Sequence, residues 1–109
     1  MQLNEVDEIG ARKAIMNTRM CVARFGLTKE QWTNFNKFFD EYPKGILEEK
    51  DIGERRKGKK LFGHAVVLTE IFKDNLYFLN SYGENWGDKG FFRVKNADVL
   101  KAKFIEVYI

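Results

Sequence analysis

Cysteine and histidine are almost missing from this chain, and each shortage removes a class of protein. One cysteine in 109 residues cannot close an internal disulfide, which excludes the bridge-stapled scaffolds common among small secreted domains. One histidine and one cysteine are too few for a structural zinc site, and the acidic residues show no calcium-loop spacing. No metal and no other cofactor is therefore expected. No run of about 18 apolar residues is present, so no membrane partner is expected. Met1 to Asn17 is charged throughout, with no apolar signal segment. Together with the single cysteine, this points to an intracellular or a truncated chain. Excess charge is scarce too. A net +3 is mild, and the basic cluster Arg55, Arg56, Lys57, Lys59 and Lys60 has no interleaved aromatics, so nucleic acid is not an expected partner.

What is plentiful is apolar and aromatic surface. Hydrophobic residues make up 44%, with ten phenylalanines, four tyrosines and two tryptophans, enough for one core in one domain spanning 1–109. Asn4 is placed to cap a first helix that stops near Thr18, with Glu5, Asp7 and Glu8 in its first turn. Met20 to Phe25 alternates as a strand, which Gly26 breaks. Thr28 followed by Gln31 is a capping box for a second helix, whose stripe Trp32, Phe35, Phe38, Phe39 and Tyr42 docks on the core. Pro43 and Gly45 end it, and Ile46-Leu47 makes a short edge strand. Glu48 to Lys60 reads as a solvated loop, since Gly53 and Gly58 oppose a firm helix. Strands follow at Leu61–Phe72, Leu76–Tyr82, Phe91–Val94 and Lys103–Tyr108, with a helical turn at Ala97–Leu100 capped by Asn96. This order predicts an α+β fold in which a curled antiparallel sheet packs with two helices at its edge.

The stretch Gly63–Val94, GHAVVLTEIFKDNLYFLNSYGENWGDKGFFRV, organises the rest. It places the only histidine, His64, sixteen positions before Asn80. A reversal near Phe72 to Asp74 sets the two opposite each other across a hairpin, on one face. An asparagine carbonyl there holds one ring nitrogen and leaves the other free, as a general base requires. Downstream, Gly83, Gly87 and Gly90 alternate with Trp86 and Phe91-Phe92, as in a tight backbone excursion under aromatic cover.

GHAV, NSYGENWG and GFFRV resemble the C-terminal half of the papain-like cysteine peptidases, peptidase family C1. The likeness runs without a gap from Gly63 to Val94 and reaches back, more weakly, through FFDEYPKGIL to the first helix. It implies the barrel-like right-hand half of the papain fold, with His64 as catalytic base and Asn80 as its orienting partner. Tyr82 stands where the family usually has tryptophan, and with Trp86 it would shield the His–Asn pair from water.

The nucleophile is not found. The family's catalytic cysteine lies in a Gln-x(n)-Cys-Gly-x-Cys-[aromatic] stretch far upstream of the histidine, and nothing like it occurs here. Cys21 sits in a strand with no helix N-terminus to favour its thiolate, and it reads as a small buried hydrophobe. Two expectations of different classes follow. In one, the chain supplies the base and its orienting asparagine for peptide-bond hydrolysis, is inactive alone, and meets a cysteine-bearing N-terminal half. In the other, it is a non-catalytic descendant that binds peptide or protein through the same face. In a chain that lives alone, Phe62, Ala65 and their neighbours are expected to be covered by its own helices or in a homo-oligomer, whereas an exposed apolar patch there implies a missing half.

Overall fold

Every second residue of Met20–Leu27 is buried, namely Cys21, Ala23, Phe25 and Leu27, and that alternation fixes which side of the sheet carries the core. The computed structural model describes residues 1–108. Its elements are β1 (Gln2–Val6), α1 (Glu8–Met16), β2 (Met20–Leu27), α2 (Lys29–Glu41), β3 (Ile46–Leu47), α3 (Glu49–Ile52), β4 (Phe62–Ile71), β5 (Leu76–Leu79), β6 (Phe91–Val94), α4 (Ala97–Leu100) and β7 (Lys103–Tyr108). The seven strands form one sheet in the order β1-β7-β2-β4-β5-β6-β3. The α+β class is as expected. The sheet keeps two edges, β1 and β3, and so does not close on itself. Its ladders are antiparallel apart from β3 with β6, which run parallel. That parallel pair departs from the expected all-antiparallel sheet, and the two long helices are joined by two single-turn ones.

Three local expectations are corrected. Asn4 is not a helix cap, because Gln2–Val6 pairs with β7 from Gln2↔Tyr108 to Val6↔Phe104. Ladder hydrogen bonds outweigh the capping propensity of a single asparagine. The cap falls to Asp7, whose side chain accepts from Gly10 N at 2.8 Å. Gly26 does not end β2, since it remains paired with Gly63 and Leu27 with Phe62. Glu48 to Lys60 is not uniformly solvated. Its first part forms α3 with Ile52 buried, and the side chain of Arg55 reaches back to donate to Gly26 O.

Helix α2 begins as its sequence signals. Thr28 accepts from Gln31 N at 3.2 Å while Gln31 Oε1 accepts from Thr28 N at 3.1 Å. Its apolar stripe then lies on the sheet, with Phe35 and Phe39 fully buried. Phe35 meets Phe39 at 5.1 Å, Phe92 at 5.3 Å and Trp32 at 5.1 Å between ring centroids. Phe92 stacks in turn on Phe78 at 5.2 Å. Each buried phenylalanine contributes roughly 1.5–3 kcal/mol of transfer free energy, and tilted ring pairs add to that. Tyr42, at the far end of the stripe, remains exposed.

Phe35 links core to site because its neighbours include both Trp32 and Trp86. Phe35→Ala should cost about 3–5 kcal/mol, a large part of the roughly 5–15 kcal/mol that holds a domain of this kind. Urea unfolding checks this. A loss below about 1 kcal/mol would mean that the ring does not organise the core.

Candidate active site

His64 and Asn80 are brought together, although not by the expected opposition. The turn between β4 and β5 is closed by Phe72 N donating to Asn75 O at 2.9 Å, and Ile71 pairs with Leu76. A regular ladder running back from that pair would put Gly83 opposite His64 and turn Asn80 to the other face. The register instead shifts between Leu68 and Glu70. Thr69 is the extra residue of a β-bulge, and its Oγ1 donates to Tyr77 O at 3.0 Å. Beyond the bulge Val67 pairs with Leu79, and continuing that register sets Tyr82 opposite His64. Asn80 is the first residue past the end of β5, two positions before Tyr82 and diagonal to His64, a spacing that long side chains can bridge.

The bridge is short. His64 Nε2 and Asn80 Oδ1 are 2.7 Å apart, and Asn80 is 5% exposed. The same Oδ1 accepts from Ser81 N at 2.8 Å. A backbone N–H can only donate, so it fixes the oxygen of the amide at this position. The oxygen in turn requires a proton on Nε2. A neutral imidazole therefore carries its hydrogen on Nε2 and presents a bare Nδ1, which no partner among the described residues claims. Asn80 Nδ2 is buried and unpartnered among the described residues.

The loop after Asn80 anchors it. Asn80 N donates to Gly90 O at 2.9 Å, and Gly90 N donates to Trp86 O at 2.8 Å. Gly87 has φ +60°, and a Cβ there would stand 2.8 Å from Phe91 O, so only glycine fits. Trp86 lies nearly parallel over Phe35 at 5.8 Å, and its Nε1 donates to Asn36 Oδ1 at 3.3 Å. This ties the loop to α2.

Aromatic rings enclose the imidazole. Tyr82 stacks on it at 5.0 Å and 28° while remaining about half exposed. Trp86 meets Tyr82 edge-on at 5.5 Å, one step removed from the histidine. Trp32, which sequence reasoning left in the core, and Phe25 of β2 approach the ring edge-on at 5.5 and 5.9 Å. Trp32 is held there by its Nε1 donating to Phe62 O at 2.9 Å. The signal that would have found Phe25 is the β2–β4 register, in which Phe25 is the direct partner of His64.

Cys21 is not part of the cluster. It pairs with Leu68, four residues along β4 from His64 and so about 13 Å away. It is fully buried. Burial, then the charge of Glu106, pushes its thiol up to about 11. Glu106 is its partner on β7 and is itself buried, with Arg19 Nη1 3.0 Å from its carboxylate. Roughly one such thiol in 10⁴ is ionised at pH 7, the opposite of an activated cysteine.

Known proteins with related sequence or architecture bear on this arrangement. The family model described as papain family cysteine protease matches residues 5–106. No curated protein matches the chain. Among solved structures, a cysteine protease from Carica candamarcensis aligns with a TM-score of 0.60 at 21% identity, over 96% of this chain and 47% of its own. Xylellain, a cysteine protease from Xylella fastidiosa, aligns with a TM-score of 0.61 at 20% identity, over 100% of this chain and 40% of its own. The chain thus spans less than half the length of these relatives, and the architecture it shares with them is the papain-like one.

The raised thiol has a consequence for stability. Between pH about 9 and about 11 the unfolded chain gives up the Cys21 proton while the folded chain keeps it. Stability therefore falls as pH rises through that window. Urea unfolding at about pH 8 and about pH 10 should show a fall in the native chain that Cys21→Ala lessens. Equal falls in both proteins would place the thiol in a polar, ionisable setting.

Proposed function

Because the chain belongs to the papain family of cysteine proteases, we propose that it supplies the base-bearing half of a cysteine peptidase site, His64 acting as general base and acid and Asn80 holding its ring. The observation that carries this is the 2.7 Å contact between His64 Nε2 and Asn80 Oδ1, which leaves Nδ1 as the working nitrogen. The nucleophile comes from outside these 109 residues, since the one thiol in the chain is buried about 13 Å away. In the proposed reaction Nδ1 takes the proton of that thiol, and the thiolate attacks the peptide carbonyl carbon. The resulting imidazolium gives the proton to the departing amine nitrogen as the C–N bond breaks. The imidazole then takes a proton from the water that hydrolyses the thioester. Tyr82, backed by Trp86, limits solvent access to the His–Asn hydrogen bond, which strengthens it.

Exposed apolar side chains beside the imidazole support a face that meets a second, cysteine-bearing body. Phe62, Leu61 and Tyr82 are each at least 42% exposed. The second reading, a non-catalytic module that binds peptide or protein on this same face, is favoured by the remoteness of Cys21 alone. It shares the geometry but needs no proton transfer.

Covalent labelling of the native, unfractionated protein separates the two. An epoxide or peptidyl ketone directed at catalytic thiols should modify a cysteine on another body that co-purifies with this chain. His64→Ala should slow that labelling by about 10²–10⁴-fold. Labelling that is unaffected by His64→Ala, or confined to slow modification of Cys21, contradicts the peptidase reading.

A further inference from the structure

A recess of about 500 Å³ opens where the first turn of α2 meets the segment leading into β4. Four cations line it, Lys29, Arg56, Lys59 and Lys60, against two carboxylates, Glu30 and Glu54. None of these six groups takes part in an ion pair among the described residues. Cations gathered without counter-charges repel one another, a cost that a bound anion relieves. The basic segment is nonetheless held in place. Asn34 Nδ2 donates to Ile52 O and Gln31 Nε2 to Gly53 O, each at 3.0 Å. Arg55 then reaches across to donate to Gly26 O. At the other end Phe62 pairs with Leu27, and Trp32 Nε1 donates to the Phe62 carbonyl. Arg56 to Lys60 is thus a short span clamped on both sides, which keeps its cations on one corner of the molecule. That corner adjoins the histidine. Phe62, in the wall of the recess, lies two residues before His64 on the same face of β4, about 7 Å along the strand. Its ring is half-open to solvent, with the Lys60 ammonium 5.0 Å from its centre.

From these features we infer that the recess binds an acidic polypeptide segment, one that carries several aspartate or glutamate side chains along an extended stretch. Arg56, Lys59 and Lys60 take the carboxylates, Arg56 offering paired donors. The Phe62 ring and the lysine stems receive the methylenes. Glu30 and Glu54 accept from backbone N–H groups of the segment. Those two carboxylates also decide between acidic partners. A nucleic acid would bring them a phosphate backbone of acceptors only, and its bases would find a single aromatic ring already covered by Lys60. None of the groups in the recess takes part in the proposed proton transfer, so the recess binds its segment whether or not His64 works as a base. Screening at this exposed position limits the advantage of an acidic over a neutral segment to about tenfold, and the advantage weakens as salt is raised.

The test titrates the full chain with blocked octapeptides that carry four glutamates, four glutamines or four lysines at the same positions. Binding is followed by the backbone amide signals of Gly58, Lys59 and Phe62 in NMR spectra. The glutamate peptide should bind about tenfold more tightly than the glutamine peptide, and the lysine peptide most weakly, with the differences shrinking between low and high salt. Arg56→Glu, Lys59→Glu and Lys60→Glu together should abolish the glutamate preference. All three side chains are exposed, so the melting temperature should not fall, and loss of binding is then not loss of fold. Lys13→Glu, Lys44→Glu and Lys73→Glu together make the same change in net charge at exposed positions outside the recess and should keep the preference. Equal binding of the glutamate and glutamine peptides, no binding at millimolar concentrations, a preference that survives the recess variant, or one lost equally in both variants would overturn the inference. Tighter binding of an oligothymidylate of the same charge would overturn it in favour of nucleic acid. Selective binding of the glutamate peptide by a protein whose partner labelling ignores His64→Ala would sink the peptidase reading and leave the recess standing.

Discussion

The hydrogen bond between His64 Nε2 and Asn80 Oδ1 is the interaction to which the rest of the chain is fitted. It needs two side chains on one face of a hairpin, an amide that cannot rotate, and a ring that cannot tip. The bulge at Thr69 satisfies the first need by sliding β4 one residue against β5. Ser81 N, donating to the same oxygen, satisfies the second. Tyr82 on one face and the edges of Trp32 and Phe25 satisfy the third. The three rings are tied in turn to the phenylalanine core, Trp32 and Phe25 directly to Phe35 and Tyr82 through Trp86, which is why a small domain invests so much of its aromatic content near one end of β4.

This arrangement costs stability locally. Asn80 is almost fully buried with its Nδ2 unpartnered among the described residues, and an unmade buried hydrogen bond of that kind costs about 1–3 kcal/mol. Arg24, Lys101 and Lys103 share a recess that no carboxylate lines. Aromatic and apolar groups beside the imidazole stay open to solvent. Such local conflicts cluster where a surface is shaped for something other than stability. Cys21 shows the contrast. Buried, opposite Glu106 and with its thiol raised, it behaves as a core residue whose chemistry is suppressed.

Much of this was legible in the sequence where the signal is local. The capping box at Thr28 and Gln31, the aromatic stripe of α2, the short strand at Ile46-Leu47 and the cap at Asn96 each depend on neighbours within a few positions. The His64–Asn80 pairing was legible as a spacing and as a family motif, but the device that achieves it was not. An even separation can be met by a symmetric turn or by an asymmetric turn plus a bulge, and nothing in TEIFKDN distinguishes them. Long-range pairing was the other blind spot. Gln2–Val6 becomes a strand only because β7 lies beside it, so Asn4 was read for its capping propensity. The parallel contact of β3 with β6 likewise depends on where the chain returns after nearly fifty intervening residues. Trp32 was assigned to the core by its helical period, which is correct for its backbone side, while its ring edge belongs to the site.

Asn80 fixes the imidazole as the Nε2–H tautomer with Nδ1 bare, and the ¹⁵N chemical shifts of the His64 ring report that tautomer. At a pH where the ring is neutral, one protonated-type resonance is expected at Nε2 and one unprotonated-type resonance at Nδ1. A proton on Nδ1, or two averaged shifts from a freely exchanging ring, would contradict it, because the nitrogen assigned to proton transfer would then be occupied or unheld.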